Sequence, residues 1–436
     1  MKSLKNIFKN LTDLQKRILF TLGALVVYRI GSYIPLPGVD AGVVSGFLKL
    51  NTQNSGGLMD LFNSFSGGSL ERMSVLALNI FPYISASIVI QLLTATSKSL
   101  SDLRKEGESG RVKINQYTRY LAVFLAIVQG WAVTRGLEHV SNGGMSAVIN
   151  PGAVFQLTAT VALVGGTVFI MWLAEQITAR GIGQGASLLI FAGIISDLPD
   201  GIRTIFTKNV AVIALVCGVV VAMVALIAFM EQAQRRLQIL YPRQAMANGV
   251  ANTNVSYLPL KVNMSGVMGP VFASSIMMLP AFVTRFVGNS SNPFVMILNE
   301  YFSPNHWFYI LMYTLLIAFF AYFQTAVVFN SEETSNNLKN MGGYIPGVRP
   351  GEQTMQYLDY VVTRTTAIGV VYLVVICVLP LILRENNALP VMIGGTSVLI
   401  VAGVILDTYN QVKSYLVERQ YGGIVSKTQR KGRFRG

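Results

Sequence analysis

Ten apolar stretches follow one another along the chain, and polar, charged or glycine-rich segments separate them. An α-helix needs about 20 mostly apolar residues to cross the ~30 Å hydrocarbon core of a lipid bilayer. Most of the stretches reach that length, although the fifth, at residues 183–198, is short. The pattern predicts an all-α polytopic membrane protein with ten transmembrane helices, centred on Leu25, Ser85, Ile127, Leu163, Ile190, Val220, Ile276, Leu316, Val374 and Ile400.

A separate apolar segment, residues 58–70, precedes the second predicted span. It is too short to cross a bilayer, and it carries the polar residues Asp60 and Asn63 before Gly67 and Gly68. A half-length helix at membrane depth is tolerated only where protein or a water-filled cavity surrounds it. We therefore expect this segment to fold back into the interior of the helix bundle.

Positive charge is distributed unevenly between alternate loops. Ten spans place both termini on the same side, and most of the 34 Lys and Arg residues lie in loops and tails on that side. The positive-inside rule assigns such loops to the cytoplasm, so both termini are predicted to be cytoplasmic. The opposite loops hold Lys49, Arg72, Arg135, Arg203, Lys208 and Arg384.

Composition excludes a soluble enzyme. The 436 residues are 52% hydrophobic and 12% charged, whereas soluble domains carry about 25% charged residues, and the mean hydropathy is +0.51. The net charge of +14 therefore belongs to membrane-protein loops, because a nucleic-acid-binding protein would place its basic residues among polar ones. Two long loops on the basic side, residues 231–266 and 330–364, predict contact with a cytoplasmic partner.

Few residues in the sequence could support catalysis or bind a metal. His139 and His306 lie near the outer ends of predicted spans without the spacing of a zinc site, and Cys217 and Cys377 lie in apolar runs. Glycines at residues 181–185 follow no strand and precede no Lys-Ser/Thr pair, so they do not form a phosphate-binding loop. We predict no enzyme activity, no metal and no cofactor.

Residues 82–88 in the second span resemble residues 270–276 in the seventh. Each is the second span of a five-helix half, and because five is odd the two halves would have inverted topology. Inverted repeats place a functional path at their interface, although small residues at these positions also suit ordinary helix packing. A secondary transporter of a small solute is the alternative function, and the scarcity of ionisable residues within the spans counts against it.

Eight short sequences carry a resemblance to a known family. Through them the chain resembles the SecY family, the channel subunits of the bacterial Sec translocase. They recur in order at residues 29–38, 65–68, 82–93, 106–111, 180–193, 258–263, 347–351 and 394–397. The resemblance implies a ten-helix clamshell that translocates unfolded secretory polypeptides across the bacterial inner membrane and releases membrane segments laterally into it.

The predicted domains follow from the spans and the resemblance. Each half holds five helices, and the first also holds a short plug helix at about residues 58–71. The boundaries are a cytoplasmic tail at 1–17, an N-terminal half at 18–198, an external hinge link at 199–208, a C-terminal half at 209–409 and a basic cytoplasmic tail at 410–436.

The resemblance also implies a pore sealed by an aliphatic ring and the plug. From pattern alone, isoleucines at helical spacing are either lipid-facing side chains or a hydrophobic constriction that gates by dewetting. The implied ring is Ile80, Ile84, Ala186, Ile190, Val271 and Ile400, where Ala186 and Val271 replace residues that are commonly isoleucine in the family. The implied plug residues are Asp60, Leu61, Phe62, Asn63, Phe65, Gly67, Gly68 and Leu70.

Further polar and basic residues are implied to serve the gate and the partners. Gln91, Ser274 and Ser275 would line the lateral gate, or else make ordinary interhelical hydrogen bonds. Arg349 would dock a partner or remain a solvated charge, and Arg235 and Arg236 would dock a partner or meet lipid headgroups.

The implied partners are SecE and SecG in a heterotrimer, the SecA ATPase, the ribosome with a possible contact to its RNA, membrane lipid and polypeptides bearing signal sequences.

Overall fold

The computed structural model describes residues 13–46, 66–138, 141–142, 145–206, 210–241, 254–287, 301, 306–385 and 394–432. His139 and the first five predicted plug residues lie outside these ranges.

Within the described ranges, the chain is mostly helical and each predicted span centre lies in a helix. The helices are α1 (Asp13–Gly31), α2 (Phe81–Thr96), α3 (Lys98–Lys105), α4 (Glu108–Glu138), α5 (Ala153–Arg180), α6 (Gly185–Phe206), α7 (Val210–Gln232), α8 (Met268–Val287), α9 (Trp307–Val328), α10 (Ser331–Asn340), α11 (Glu352–Glu385) and α12 (Gly395–Gly432).

Five helical stretches in the described residues are long and apolar enough to cross a membrane. They are Glu108–Glu138, Ala153–Arg180, Val212–Gln232, Trp307–Asn340 and Glu352–Leu383. Three shorter apolar helices are Phe81–Thr96, Gly185–Pro199 and Met268–Met277. The helical multi-pass class is therefore confirmed, and the count of ten spans stays a prediction.

In the described residues, two antiparallel hairpins accompany the helices, and the apolar pattern did not predict them. β1 (Ser141–Asn142) pairs with β2 (Met145–Ser146), and β3 (Gln234–Tyr241) pairs with β4 (Asn254–Lys261). Strand β3 alternates, so that Leu237 and Ile239 are buried while Arg236 and Gln238 are exposed. This two-residue period turns one face of the strand toward a core.

The chain divides into two compact units. The first comprises residues 1–86, 118–204 and 400–436, and the second comprises residues 87–117 and 205–399. In the first unit α1 packs against α5, and in the second α9 packs against both α8 and α11. The predicted boundaries of the two halves stay predictions.

Candidate functional site

Residues 66–80 include the C-terminal part of the predicted plug, residues 66–71, and they form consecutive turns with a β-bridge at Ser74 and not a regular helix. Gly67, Gly68 and Leu70 are buried there. Met73 and Asn79 have φ angles of 42° and 50°, a left-handed conformation that is costly for residues other than glycine. The surrounding structure must therefore hold this segment firmly. The predicted plug residues Asp60, Leu61, Phe62, Asn63 and Phe65 lie outside the described residues.

Two arginines converge on the backbone carbonyl of Gly67. The Nη1 atom of Arg29 donates to this oxygen at 2.8 Å, and the Nη2 atom of Arg72 donates to it at 2.6 Å. Gly67 has a φ of 63°, and a Cβ there would lie 2.7 Å from the Ser196 Oγ and 2.9 Å from the Gly193 Cα. Charge-assisted hydrogen bonds are about twice as strong as neutral ones, so this carbonyl is an anchored point of the turn segment.

An aromatic ring and a carboxylate complete the surroundings of the two arginines. The guanidinium groups of Arg29 and Arg72 lie 5.0 Å and 4.4 Å from the centroid of the Tyr33 ring. Arg29 also donates to the Tyr33 hydroxyl at 3.1 Å. The half-buried Asp197 interacts electrostatically with both arginines. The cluster, which sequence reasoning missed, gathers two arginines, an aromatic ring and an acidic side chain around one buried turn.

The predicted pore-ring residues of the first unit lie where helices begin. Ile80 ends the turn segment and Ile84 lies in the first turn of α2, with the Ile84 N–H donating to the Ile80 carbonyl at 3.0 Å. Ala186 and Ile190 lie in the first turns of α6, and the four-residue spacing puts them on the same face. Ile400 lies in α12. Ala186 is half-buried and the other four side chains are buried.

Val271, the remaining predicted ring residue, lies in the first turn of α8 in the second unit and is 6% exposed. The assignment of all six residues to one ring stays a prediction.

Glycine at the start of α6 permits a close crossing of backbone segments. The Gly185 N–H donates to the Thr178 hydroxyl at 2.9 Å, and a Cβ on Gly185 would overlap the Ala174 carbonyl oxygen. The Ile182 N–H donates to the Thr21 hydroxyl at 3.0 Å. These contacts satisfy two backbone donors with protein groups and fix the position from which α6 presents Ala186 and Ile190.

The predicted lateral-gate residues make hydrogen bonds within their own helices. The Gln91 side-chain nitrogen donates to the Ser87 hydroxyl at 3.1 Å, one turn back on α2. The Ser274 and Ser275 hydroxyls both donate to the Val271 carbonyl, at 2.9 Å and 2.8 Å. Serines bonded this way present little polarity to a neighbouring helix. Their role in a gate stays a prediction.

The two long loops on the basic side share one hydrophobic core, and we call this part the hairpin module. It comprises β3, β4, α10, residues 344–351 and the first turns of α11. Leu240 and Tyr344 exchange backbone hydrogen bonds of 2.9 Å and 3.0 Å, which ties the second loop to the edge of the hairpin. The buried core residues are Leu237, Ile239, Leu260, Leu338, Ile345, Leu358, Val361 and Val362.

All three predicted docking arginines are exposed on the hairpin module. Arg235 and Arg236 lie on β3, and Arg349 lies between Gly347 and Gly351. Both glycines have left-handed φ angles, of 81° and 107°. The Arg349 carbonyl accepts a hydrogen bond from the Thr354 hydroxyl at 2.8 Å, so the backbone is fixed while the guanidinium faces outward. Because the two loops share one core, the three arginines lie on one module, although the sequence places them in two different loops.

A polar clamp at the base of the hairpin was missed by sequence reasoning. The Asn263 side-chain nitrogen donates to the Glu231 carboxylate at 2.6 Å and to the Gly266 carbonyl at 3.2 Å. The Ser265 hydroxyl donates to the Asn263 side-chain oxygen at 2.8 Å. These bonds join the end of α7 to the chain that leaves β4. The presence of Asn263 in the resembling stretch 258–263 was the available signal.

Comparisons with known proteins agree with this architecture. Residues 74–409 match the SecY family model. The chain is 45% identical over 430 residues to the protein translocase subunit SecY of Rickettsia bellii, which covers 97% of this chain and 98% of that one. It is also 45% identical over 429 residues to the subunit of Escherichia coli K12, with coverage of 97% and 96%.

Solved structures share the fold at lower sequence identity. A protein-conducting channel gives a TM-score of 0.63 at 14% identity, with 92% of each chain covered. Sec61 in a canine ribosome–channel complex gives 0.60 at 14% identity, again with 92% of each chain covered. At this identity the likeness establishes the fold alone. With the family match and the 45% identity, the chain belongs to the SecY family of protein translocase subunits.

Proposed function

We propose that this chain is the pore-forming subunit of a translocase in the bacterial inner membrane, with both termini in the cytoplasm. It moves unfolded secretory polypeptides across the membrane and releases apolar segments sideways into lipid. The observation that carries this proposal is the 45% identity to translocase subunits over 97% of the chain. The alternative, a transporter of a small solute, has no comparable support.

The pore works through the chemistry of an aliphatic neck. Ile80, Ile84, Ala186, Ile190, Val271 and Ile400 offer water and ions no hydrogen bonds, so a narrow constriction between them stays dry. Their side chains can yield to a passing polypeptide without reading its sequence. The aliphatic ring and the plug together seal the closed pore. A solved SecY structure is described as having a plug domain that stabilises the closed state and maintains a membrane seal.

Ten spans in two inverted halves surround this pore, and cargo is selected at the lateral gate. The gate lies between α2 and α4 on one side and α8 and α9 on the other, lined by Gln91, Ser274 and Ser275. A signal sequence has an apolar core of about 7–15 residues. Each central Leu or Phe favours lipid by about 0.3–0.6 kcal/mol. An opening toward lipid therefore sorts polypeptides by hydrophobicity.

The hairpin module supplies the docking surface for cytoplasmic partners. Its exposed Arg235, Arg236 and Arg349 suit carboxylates on a partner such as the SecA motor or the phosphates of ribosomal RNA. Two structural neighbours are described in complexes with ribosomes. Phosphate contacts would make ribosome docking steeply dependent on salt. SecE and SecG complete the heterotrimer within the membrane.

Translocation by the purified complex tests the proposed function. The chain, isolated with its small membrane subunits and placed in proteoliposomes, should protect a secretory precursor from added protease when SecA and ATP are supplied. Vesicles lacking the chain, and a precursor lacking its signal sequence, are the controls. Failure to protect the precursor, together with uptake of a labelled small solute, would establish the transporter alternative.

Enlarging Ala186 should tighten the neck. The substitution Ala186→Ile adds three carbons at a half-buried position in the first turn of α6. We expect it to lower the ion conductance of a channel from which the plug has been deleted, measured in planar bilayers. Ala192→Ile, on another face of the same helix, is the matched control. Equal conductance for Ala186→Ile and the parent channel would remove Ala186 from the ring.

A further inference from the structure

Arg104 connects a short surface helix to the end of an apolar one. It lies in the last turn of α3, and its Nη2 atom donates to the Val327 carbonyl oxygen at 2.7 Å. Val327 is the penultimate residue of α9, where the last four carbonyls have no partner within the helix. The C-terminus of a helix also carries a partial negative charge that favours a cation. The guanidinium therefore satisfies an orphan carbonyl and the helix dipole together.

The backbone that presents Arg104 is held in a tight corner between α3 and α4. The Glu106 N–H donates to the Asp102 and Leu103 carbonyls, each at 3.2 Å, and Gly107 has a φ of 81°. A Cβ on Gly110 would overlap the Leu103 carbonyl oxygen, so the first turn of α4 lies directly against the end of α3. Arg104 is therefore displayed by a rigid corner, and displacement of the corner would carry the side chain with it.

This hydrogen bond connects elements that lie on opposite sides of the proposed lateral gate. The corner joins α2 to α4, and Val327 ends α9. In the proposed function, α2 and α4 form one side of the lateral gate, and α8 and α9 form the other. The bond lies within one compact unit, formed by residues 87–117 and 205–399. It spans the two sides at their cytoplasmic ends, where helix separation would have to break it.

We propose that Arg104 is a specificity-determining residue, a latch whose bond to Val327 sets how apolar a segment must be to open the gate. This inference rests on the proposed function. Opening exchanges the Arg104 hydrogen bond for bonds to water, and the partitioning of the incoming segment into lipid must offset that loss. A weak signal sequence supplies less of this free energy than a strong one. Removing the latch should therefore favour weak signals selectively.

The test varies the latch and the signal sequence together. Arg104→Met removes the donors and keeps an unbranched side chain, while Arg104→Lys keeps the charge but loses the planar fork. Lys105→Met is the matched control, because Lys105 is the adjacent cation and its amine lies 3.7 Å from the Asp102 carboxylate. Each full-length variant is reconstituted with its partner subunits. Precursors whose signal cores lose leucines stepwise are then assayed for protection from protease.

For Arg104→Met we expect about three- to tenfold more transport of the precursor with the weakest signal. This is the fold-change that corresponds to the net free energy of one hydrogen bond. Transport of the precursor with the strongest signal should be unchanged. Arg104→Lys should lie between Arg104→Met and the parent, and Lys105→Met should match the parent. A change confined to weak signals is not expected from a purely structural role, which would lower transport of every precursor alike.

Two results would overturn the latch. One is that transport by Arg104→Met depends on the hydrophobicity of the signal in the same way as transport by Lys105→Met. The other is a uniform loss of transport across the precursor series for Arg104→Met at equal protein levels. Failure of the proposed function is a different outcome, because the parent chain itself would then transport no precursor.

Discussion

Export should fall by about tenfold or more when Arg349 is replaced by glutamate, while the amount of the chain in the membrane stays unchanged. Loss of a central interface arginine typically costs about 2 kcal/mol or more, and reversing its charge adds repulsion. Arg349 is exposed, and its hydrogen bond with Thr354 is made by the backbone carbonyl, so reversing the charge of the side chain should not impair folding. SecA-driven translocation into vesicles prepared from the variant measures the effect.

Lys339→Glu is the matched control for this prediction, because it reverses an exposed charge on α10 of the same hairpin module. We expect it to reduce export much less than Arg349→Glu. Arg349→Lys should recover part of the loss, since a lysine keeps the charge without the bidentate geometry. Normal translocation by Arg349→Glu would remove this residue from the docking surface.

The second large effect is expected at Gly185, where Gly185→Ala should destabilise the chain by about 1–3 kcal/mol, the usual cost of forcing extra atoms into a packed interior. The new Cβ would meet the backbone carbonyl oxygen of Ala174, and backbone cannot rotate away as a flexible side chain can. The start of α6 would have to move, together with Ala186 and Ile190. A lower melting temperature of the purified chain in detergent would report the destabilisation.

Gly165→Ala provides the comparison, because Gly165 lies within α5 and a Cβ there meets no atom within 4 Å. Alanine is favoured over glycine inside a helix by roughly 1 kcal/mol, so this variant should melt at the same temperature as the parent or higher. Equal melting temperatures for both variants would contradict the close crossing before α6.

The helices were predictable because a bilayer imposes one strong rule on the sequence. Long apolar stretches such as those centred on Ile127 and Leu163 can satisfy their backbone groups in lipid only as helices, and both centres lie in helices that meet the length and composition of a span. The same rule predicts that residues 58–70 are too short to cross.

Contacts between distant polar groups could not be predicted in this way. Hydropathy carries no information about which carbonyl Arg29 and Arg72 will share, or that Asn263 will meet Glu231. The β3–β4 hairpin was missed because its alternation is short and its core is completed by α10 and α11, far along the chain. Residues in these clusters are ordinary polar residues until the fold brings them together.

The continuity of α11 gives the hairpin module a mechanical consequence. The helix begins one residue after Gly351, contributes Leu358, Val361 and Val362 to the module's core, and continues to Glu385. Its 34 residues form a rod of about 50 Å. A force that a bound partner applies at Arg349 would therefore tilt α11, including its apolar part. Bending of the helix would be concentrated near Pro380, which has no backbone N–H to donate.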